Sequence, residues 1–198
     1  MSGGGAKGSG RAAPILAAAA GLAGALYVIA GCTARPAVDL KTLAVGQMQK
    51  LEVTTPAPSP ATTFTTADGR ALSLADFKGK AVVLSLWATW CGPCVQEMPT
   101  LARLAEETRG QPVAIVPVSV DRIEDRANAL AFLARRPPLA FYGDPSFGLA
   151  FAFKPPIAGL PTTVLIDRAG RVRARLSGGA DWSGPEALRV VQALEQAR

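Results

Sequence analysis

Hydrophobic residues fall into two kinds of pattern along this chain. From Pro14 to Gly31 no charged residue appears, and polar residues do not recur at helical spacing. As a helix this stretch rises about 27 Å, enough for a bilayer core. Beyond residue 62 the apolar positions come in short runs and helical repeats. Residues 81–87 read as a buried strand and 113–120 as a second one, closed by Asp121. Between them, Met98, Leu101, Leu104 and Ala105 give a helix over 92–109, bent at Pro99 and ended by Gly110. Ala127, Leu130, Ala131 and Ala134 predict the inward face of another helix, and 139–142 a short strand. Asp144-Pro145 predicts an N-cap and first helical proline, opening a helix that runs to about Phe153.

Before residue 81, Ala67-Asp68-Gly69-Arg70 reads as a hairpin turn and 73–79 as a helical turn. After 160, strands are expected at 162–166 and 171–177, joined by a turn at Asp167-Arg168-Ala169-Gly170. The second alternates strictly, with Val172, Ala174 and Leu176 on one side and Arg171, Arg173 and Arg175 on the other. An arginine face suits an edge strand that must resist pairing with other sheets. Ser183 and Glu186 have capping-box spacing before a final helix with Ala187, Val190, Val191 and Leu194 inward. The order βαβα, a short strand and helix, then ββα predicts an α/β domain: a mixed central sheet with helices on both faces.

The amino-terminal pattern divides the chain into a cytoplasmic tail (1–13), a transmembrane or signal-type segment (14–31), a connector (32–62) and a folded domain (63–198). Lys7 and Arg11 precede the apolar stretch with no acid among them, which favours a cytoplasmic amino terminus and a domain outside. A cleaved signal peptide is the alternative, although its apolar core is shorter, about 7–15 residues. A third reading comes from Ile29-Ala30-Gly31-Cys32, which resembles the bacterial lipobox and would anchor the chain by a lipid on Cys32. All three end outside the cytosol. In the connector, 54–62 is rich in Pro and Thr and reads as extended, holding a domain off the membrane. The part from Leu40 to Val53 is compatible with a short helix or with packing on the domain.

Charge and composition narrow the chemistry. The net charge is +6 and histidine is absent, which excludes histidine acid–base catalysis and histidine metal sites. No block of five cations occurs, so nucleic acid is not expected as a partner. Two of the three cysteines, Cys91 and Cys94, are separated by Gly92-Pro93. They follow the apolar run that ends at Trp87, where a helix begins at once. Cys91 is therefore expected at a helix N-terminus, where free N–H groups and the dipole favour a thiolate. A zinc site would need two more ligands, and only Cys32 remains. A purely structural disulfide closing so short a loop restrains little of the unfolded chain. Thiol–disulfide exchange is the chemistry that this pair suits, with no cofactor and no metal.

Trp87-Ala88-Thr89-Trp90-Cys91-Gly92-Pro93-Cys94, with Gly159-Leu160-Pro161-Thr162-Thr163 downstream, resembles the thioredoxin superfamily from about Thr63 onward. The resemblance implies a thioredoxin-like fold, a cis bond at Leu160–Pro161 facing the cysteines, and client binding by Trp90, Gly92, Pro93, Leu160 and Pro161. The continuation Cys94-Val95-Gln96-Glu97-Met98-Pro99 is similar to the TlpA/ResA/CcmG branch of membrane-anchored extracytoplasmic thioredoxins. There the resemblance implies that Glu97 handles protons beneath the active site; a solvated carboxylate is its plainer reading. Gly178-Gly179-Ala180-Asp181-Trp182 looks most like the TlpA subgroup. Where cytosolic thioredoxins carry a buried aspartate this chain has Ser85, which shifts proton transfer onto Glu97. No cysteine in the last hairpin offers Cys32 a partner, so no structural disulfide is expected.

The cycle implied has Cys91 attack a client disulfide and Cys94 resolve the mixed disulfide. Trp87 is read either as core or as recognition. The resemblance implies a reductant fed by a transmembrane electron donor. Its clients would be a copper chaperone or oxidase subunit, or apocytochrome c. An oxidative role and a Cu(I)-binding assembly factor are the competing readings.

Overall fold

The computed structural model describes residues 39–197. The tail, the expected span at 14–31 and Cys32 lie outside the described residues. Among the described residues no helix is long and apolar enough to cross a membrane.

Eight strands form one sheet: β1 (Leu51–Pro58), β2 (Phe64–Thr66), β3 (Ala71–Leu72), β4 (Ala81–Trp87), β5 (Val113–Ser119), β6 (Tyr142–Gly143), β7 (Thr162–Ile166) and β8 (Arg171–Ser177). Their order is β1-β8-β7-β4-β5-β6-β2-β3. The pairs β4–β5 and β5–β6 are parallel and the rest antiparallel, so the sheet is mixed. The helices are α1 (Leu40–Leu43), α2 (Gly92–Glu107), α3 (Arg126–Ala134), α4 (Gly148–Ala152) and α5 (Pro185–Gln196).

Period-two alternation sorts β4 between two cores. Ala81, Val83 and Trp87 join the core under α2 and α5, with Met98, Leu101, Val190 and Leu194. Val82, Leu84 and Leu86 join the core on the opposite face, with Leu149, Phe153 and Leu74. A strand covered on both faces reads as the continuous apolar run seen in the sequence.

The structure departs from expectation in four places. The sheet begins inside the segment read as a connector, because β1 pairs antiparallel with β8, Leu51 facing Leu176. Leu40 and Met48 are buried in the same core as α5. Consequently β8 is not an edge. Arg171 and Arg173 instead donate to the fully buried Asp167, at 3.0 and 3.2 Å. The true edge, β1, carries Pro56 and Pro58, which cannot extend a ladder. In α3 the buried face is Ala129 and Leu133, not Ala127, Ala131 and Ala134, which are exposed. Alanine periodicity carries little weight against one large residue, and Phe132 of this helix packs on Trp87 at 5.3 Å. Finally, α5 has Gly184 as its N-cap with no side-chain bond; Ser183 is bonded to Asp181 instead. The expected helix after Asp144-Pro145 shortens to α4, although an Asp144 oxygen does accept the Leu149 N–H at 2.7 Å.

Candidate active site

The strand β4 ends at Trp87 and α2 begins at Gly92, so the intervening loop delivers Cys91 to the helix N-terminus. Cys91 is the N-cap residue of α2, and its Sγ accepts the backbone N–H of Cys94 at 3.3 Å. That donor and the helix dipole stabilise negative charge on this sulfur. The two cysteines are joined as a disulfide with Cα atoms 5.2 Å apart. Their settings differ. Cys91 is 7% exposed and borders an open groove, whereas Cys94 is fully buried.

That groove, about 450 Å³, is lined by Trp90, Cys91, Phe147, Phe151, Ile157 and Leu160, among others, and by no charged side chain. Trp90 (63% exposed) and Phe151 (66% exposed) are large apolar residues left in solvent. Trp87 is wholly buried, which settles it as core. The Leu160–Pro161 peptide bond is cis, as the resemblance implies. Pro161 is buried and its carbonyl accepts the Gly178 N–H at 2.9 Å. Gly92 and Pro93 are exposed but do not line the groove, and Gly179 packs against Pro93.

Glu97 is not a solvated carboxylate. It lies one turn beyond Cys94 and is only 2% exposed. Its Oε1 accepts the indole N–H of Trp182 and, at 3.5 Å, the hydroxyl of Thr163, while Oε2 has no partner. Burial pushes its pKa up to about 7, against the lowering influence of the Trp182 and Thr163 hydrogen bonds. A carboxyl group tuned to this range can both take and return a proton near neutrality. Ser85 is buried on β4 opposite Thr163, and its hydroxyl has no partner either.

Four contributors escaped sequence reasoning. Trp182 is visible there only as part of a subgroup motif. Thr163 stands in the Gly-Leu-Pro-Thr-Thr element without a role. Phe151 is masked by an apolar helix in which it appears as one more core residue. Asp121, read as the end of a strand, holds the hydroxyl and N–H of Thr89 just ahead of Trp90. Among the described residues no cluster of His, Cys, Asp and Glu could hold a metal ion.

Known proteins resemble this chain in sequence and in fold. A family model described as Redoxin matches residues 52–191, a range that includes nearly all of β1. The chain is similar to thiol-disulfide oxidoreductase ResA of Geobacillus thermodenitrificans, 31% identical over 140 residues that cover 66% of this chain and 73% of that one. It is also similar to thiol:disulfide interchange protein DsbE of Pseudomonas aeruginosa, 33% identical over 57% of this chain and 59% of the relative. A solved thiol:disulfide interchange protein of the thioredoxin family from Chlorobium tepidum superposes with a TM-score of 0.60 at 25% identity, covering 71% of this chain and 97% of that one.

Proposed function

The chain belongs to the redoxin family, within the thioredoxin superfamily, and is a thiol-disulfide oxidoreductase; from that premise we propose that it is a membrane-tethered extracytoplasmic reductant of client disulfides. The observation that carries the exchange chemistry is the asymmetry of the pair: one sulfur on an apolar groove at a helix N-terminus, the other fully buried one turn before a buried carboxyl group.

In the proposed cycle the Cys91 thiolate attacks one sulfur of the client disulfide. A Cys91–client disulfide forms and the other client sulfur departs as a thiolate. The Cys94 thiol then passes its proton to Glu97 and attacks the Cys91 sulfur. This closes the Cys91–Cys94 disulfide and releases the second client thiolate, which receives the proton from Glu97. The client gains two electrons and the protein loses two, so a dithiol donor must reset it. Trp90, Gly92 and Pro93 flank the attacked position, and the backbone of Leu160 offers an extended client segment strand-like hydrogen bonds.

An oxidising compartment drives thiols closed, so a dedicated reductant there needs electrons from across the membrane. The charge-free stretch at 14–31 supports a tether, with a lipid on Cys32 as the second way to achieve one. The motif resemblance supports clients in copper-site assembly of cytochrome oxidase or in cytochrome c maturation. Expressing the Cys94→Ala chain in cells tests the mechanism. It should accumulate as a mixed disulfide through Cys91, and the attached protein names the client; a chain that gathers no disulfide-linked partner counts against the reading. Fractionation of the same cells should return the protein with membranes.

A further inference from the structure

Two indoles in this domain are fully buried, yet only one has its N–H satisfied. The Nε1 of Trp87 has no partner. The Nε1 of Trp182 donates to Glu97 Oε1. We propose that Trp182 is a positioning residue for thiol exchange: with the Thr163 hydroxyl it occupies one oxygen of Glu97, leaving Oε2 as the oxygen that takes the proton of Cys94. This rests on the reading of Glu97 as the proton acceptor.

The placement is enforced from both ends of the residue. Trp182 lies in the loop between β8 and α5, and its backbone N–H donates to Thr100 Oγ1 at 3.1 Å. The Thr100 hydroxyl in turn donates to the carbonyl of Glu97 at 2.8 Å. Backbone and side chain of one residue thus fasten the loop to the same turn of α2. Three residues earlier Gly179 sits against Pro93, where an added Cβ would lie 3.6 Å from the Pro93 carbonyl oxygen. The loop therefore follows α2 from the cysteine pair to Thr100. A buried indole N–H needs an acceptor, and here the acceptor is a buried carboxyl group one helical turn beyond Cys94.

The groups around Glu97 leave the indole with most of the influence. On its own helix the titratable neighbour is Cys94, one turn back. From β7 comes Thr163, from β4 Ser85 opposite it, and from the β8–α5 loop Trp182 itself. None of these carries a fixed charge. Burial opposes ionisation, and the two hydrogen bonds alone favour it, the indole more than the hydroxyl. Removing the indole N–H must raise the carboxyl pKa further and slow proton removal from Cys94 at neutral pH.

The test follows resolution by Cys94 in the full-length chain carrying Cys32→Ser, so that one cysteine pair reports. Reduced protein is mixed with 5,5′-dithiobis(2-nitrobenzoate). Cys91 captures one aryl thiol as a mixed disulfide and Cys94 expels it, giving a second burst of colour whose rate is followed from pH 5 to 9. The parent protein should show an inflection near pH 7, which Glu97→Gln removes. Trp182→Phe should move it upward by about one unit, with the rate on the acid side about tenfold lower and the alkaline plateau kept. β-(3-Benzothienyl)alanine at position 182 keeps the ring shape without the N–H; it should do the same, and it replaces the phenylalanine variant should that fail to fold. An inflection unmoved in these variants, while Glu97→Gln abolishes it, overturns the positioning role alone. An inflection that survives Glu97→Gln overturns both this inference and the proton-acceptor reading beneath it. A lowered melting temperature with an unmoved inflection marks Trp182 as packing and nothing more.

Discussion

Asp121 receives both the backbone N–H (3.0 Å) and the hydroxyl (2.6 Å) of Thr89. One residue closes β5; the other stands two positions before Cys91. The adjacent strands β4 and β5 are parallel, so their carboxyl ends lie side by side, and this joint ties the reactive loop to its neighbour's end. The Ser119 hydroxyl, at 2.8 Å, holds the same carboxylate from below. The loop that presents Trp90 and Cys91 is thus anchored by side-chain bonds and not by the ladder alone.

Losing that anchor should cost both stability and rate. Asp121→Ala removes a charge-assisted set of bonds from a nearly buried site and should lower unfolding free energy by about 2–3 kcal/mol. Asp121→Asn keeps the shape and part of the bonding, so it should fall between. Urea titration measures the stability, and reduction of a protein disulfide measures the rate, expected to drop several-fold. An unchanged rate in a destabilised Asp121→Ala protein would show that the loop holds its geometry without this carboxylate.

Glu97 makes a signed prediction about pH and stability. Its pKa rises from an ordinary 4.5 to about 7 on folding, chiefly through burial. The folded chain therefore binds a proton more tightly than the unfolded one. The stabilisation is present in full below about pH 4.5 and is lost as pH rises through 7, a fall on the order of 3 kcal/mol from this group. Glu97→Gln keeps an acceptor for Trp182 and never buries a charge. It should flatten this slope and make the oxidised protein more stable than the parent at pH 8, while slowing exchange. Urea titrations of both proteins at pH 5 and 8 check the sign; a parent more stable at pH 8 than the glutamine variant contradicts it.

Phe151 should matter to clients and hardly at all to the fold. It stands in solvent on the groove that also holds Cys91, so its removal exposes no core. Phe151→Asp places a charge on a lining that has none. The KM for a protein disulfide should rise several-fold with kcat retained, and reduction of a small soluble disulfide should be unaffected. Equal loss with both substrates would place Phe151 outside client binding.

Much of this was legible in the residues. A buried strand running into Trp90-Cys91-Gly92-Pro93-Cys94 and a helix, with Leu160-Pro161 downstream, states the fold and the chemistry together. What escaped was long-range. The Pro-rich stretch at 54–62 looks like a tether by composition, yet its Ala57 and Pro58 pair with Val172 and Arg171 of β8, more than a hundred residues away. Burial of Glu97 depends on an indole 85 positions on, and a helix-terminal carboxylate looks solvated until that loop is in place. Burial in α3 follows Leu133, not the more numerous alanines.

The arginine stripe read as edge protection has a different task here. With β1 outside it, Arg175 donates to the carbonyls of Pro155 (2.7 Å) and Lys154 (3.1 Å) and lies over the Phe153 ring. It thereby fixes the start of the segment 154–160, whose far end supplies Ile157 and Leu160 to the groove. Arg175→Ala should lower stability by about 1–2 kcal/mol and loosen that segment. Arg175→Lys should recover only part, since an ammonium on a flexible stem lacks the planar fork that reaches two carbonyls together. Hydrogen exchange at the Ile157 amide, which donates to the Ala150 carbonyl at 3.0 Å, reports the loosening directly. Faster exchange there with a raised KM for protein clients is the expected pair of results. Unaltered exchange in Arg175→Ala would mean that the segment 154–160 holds its course without the sheet's help.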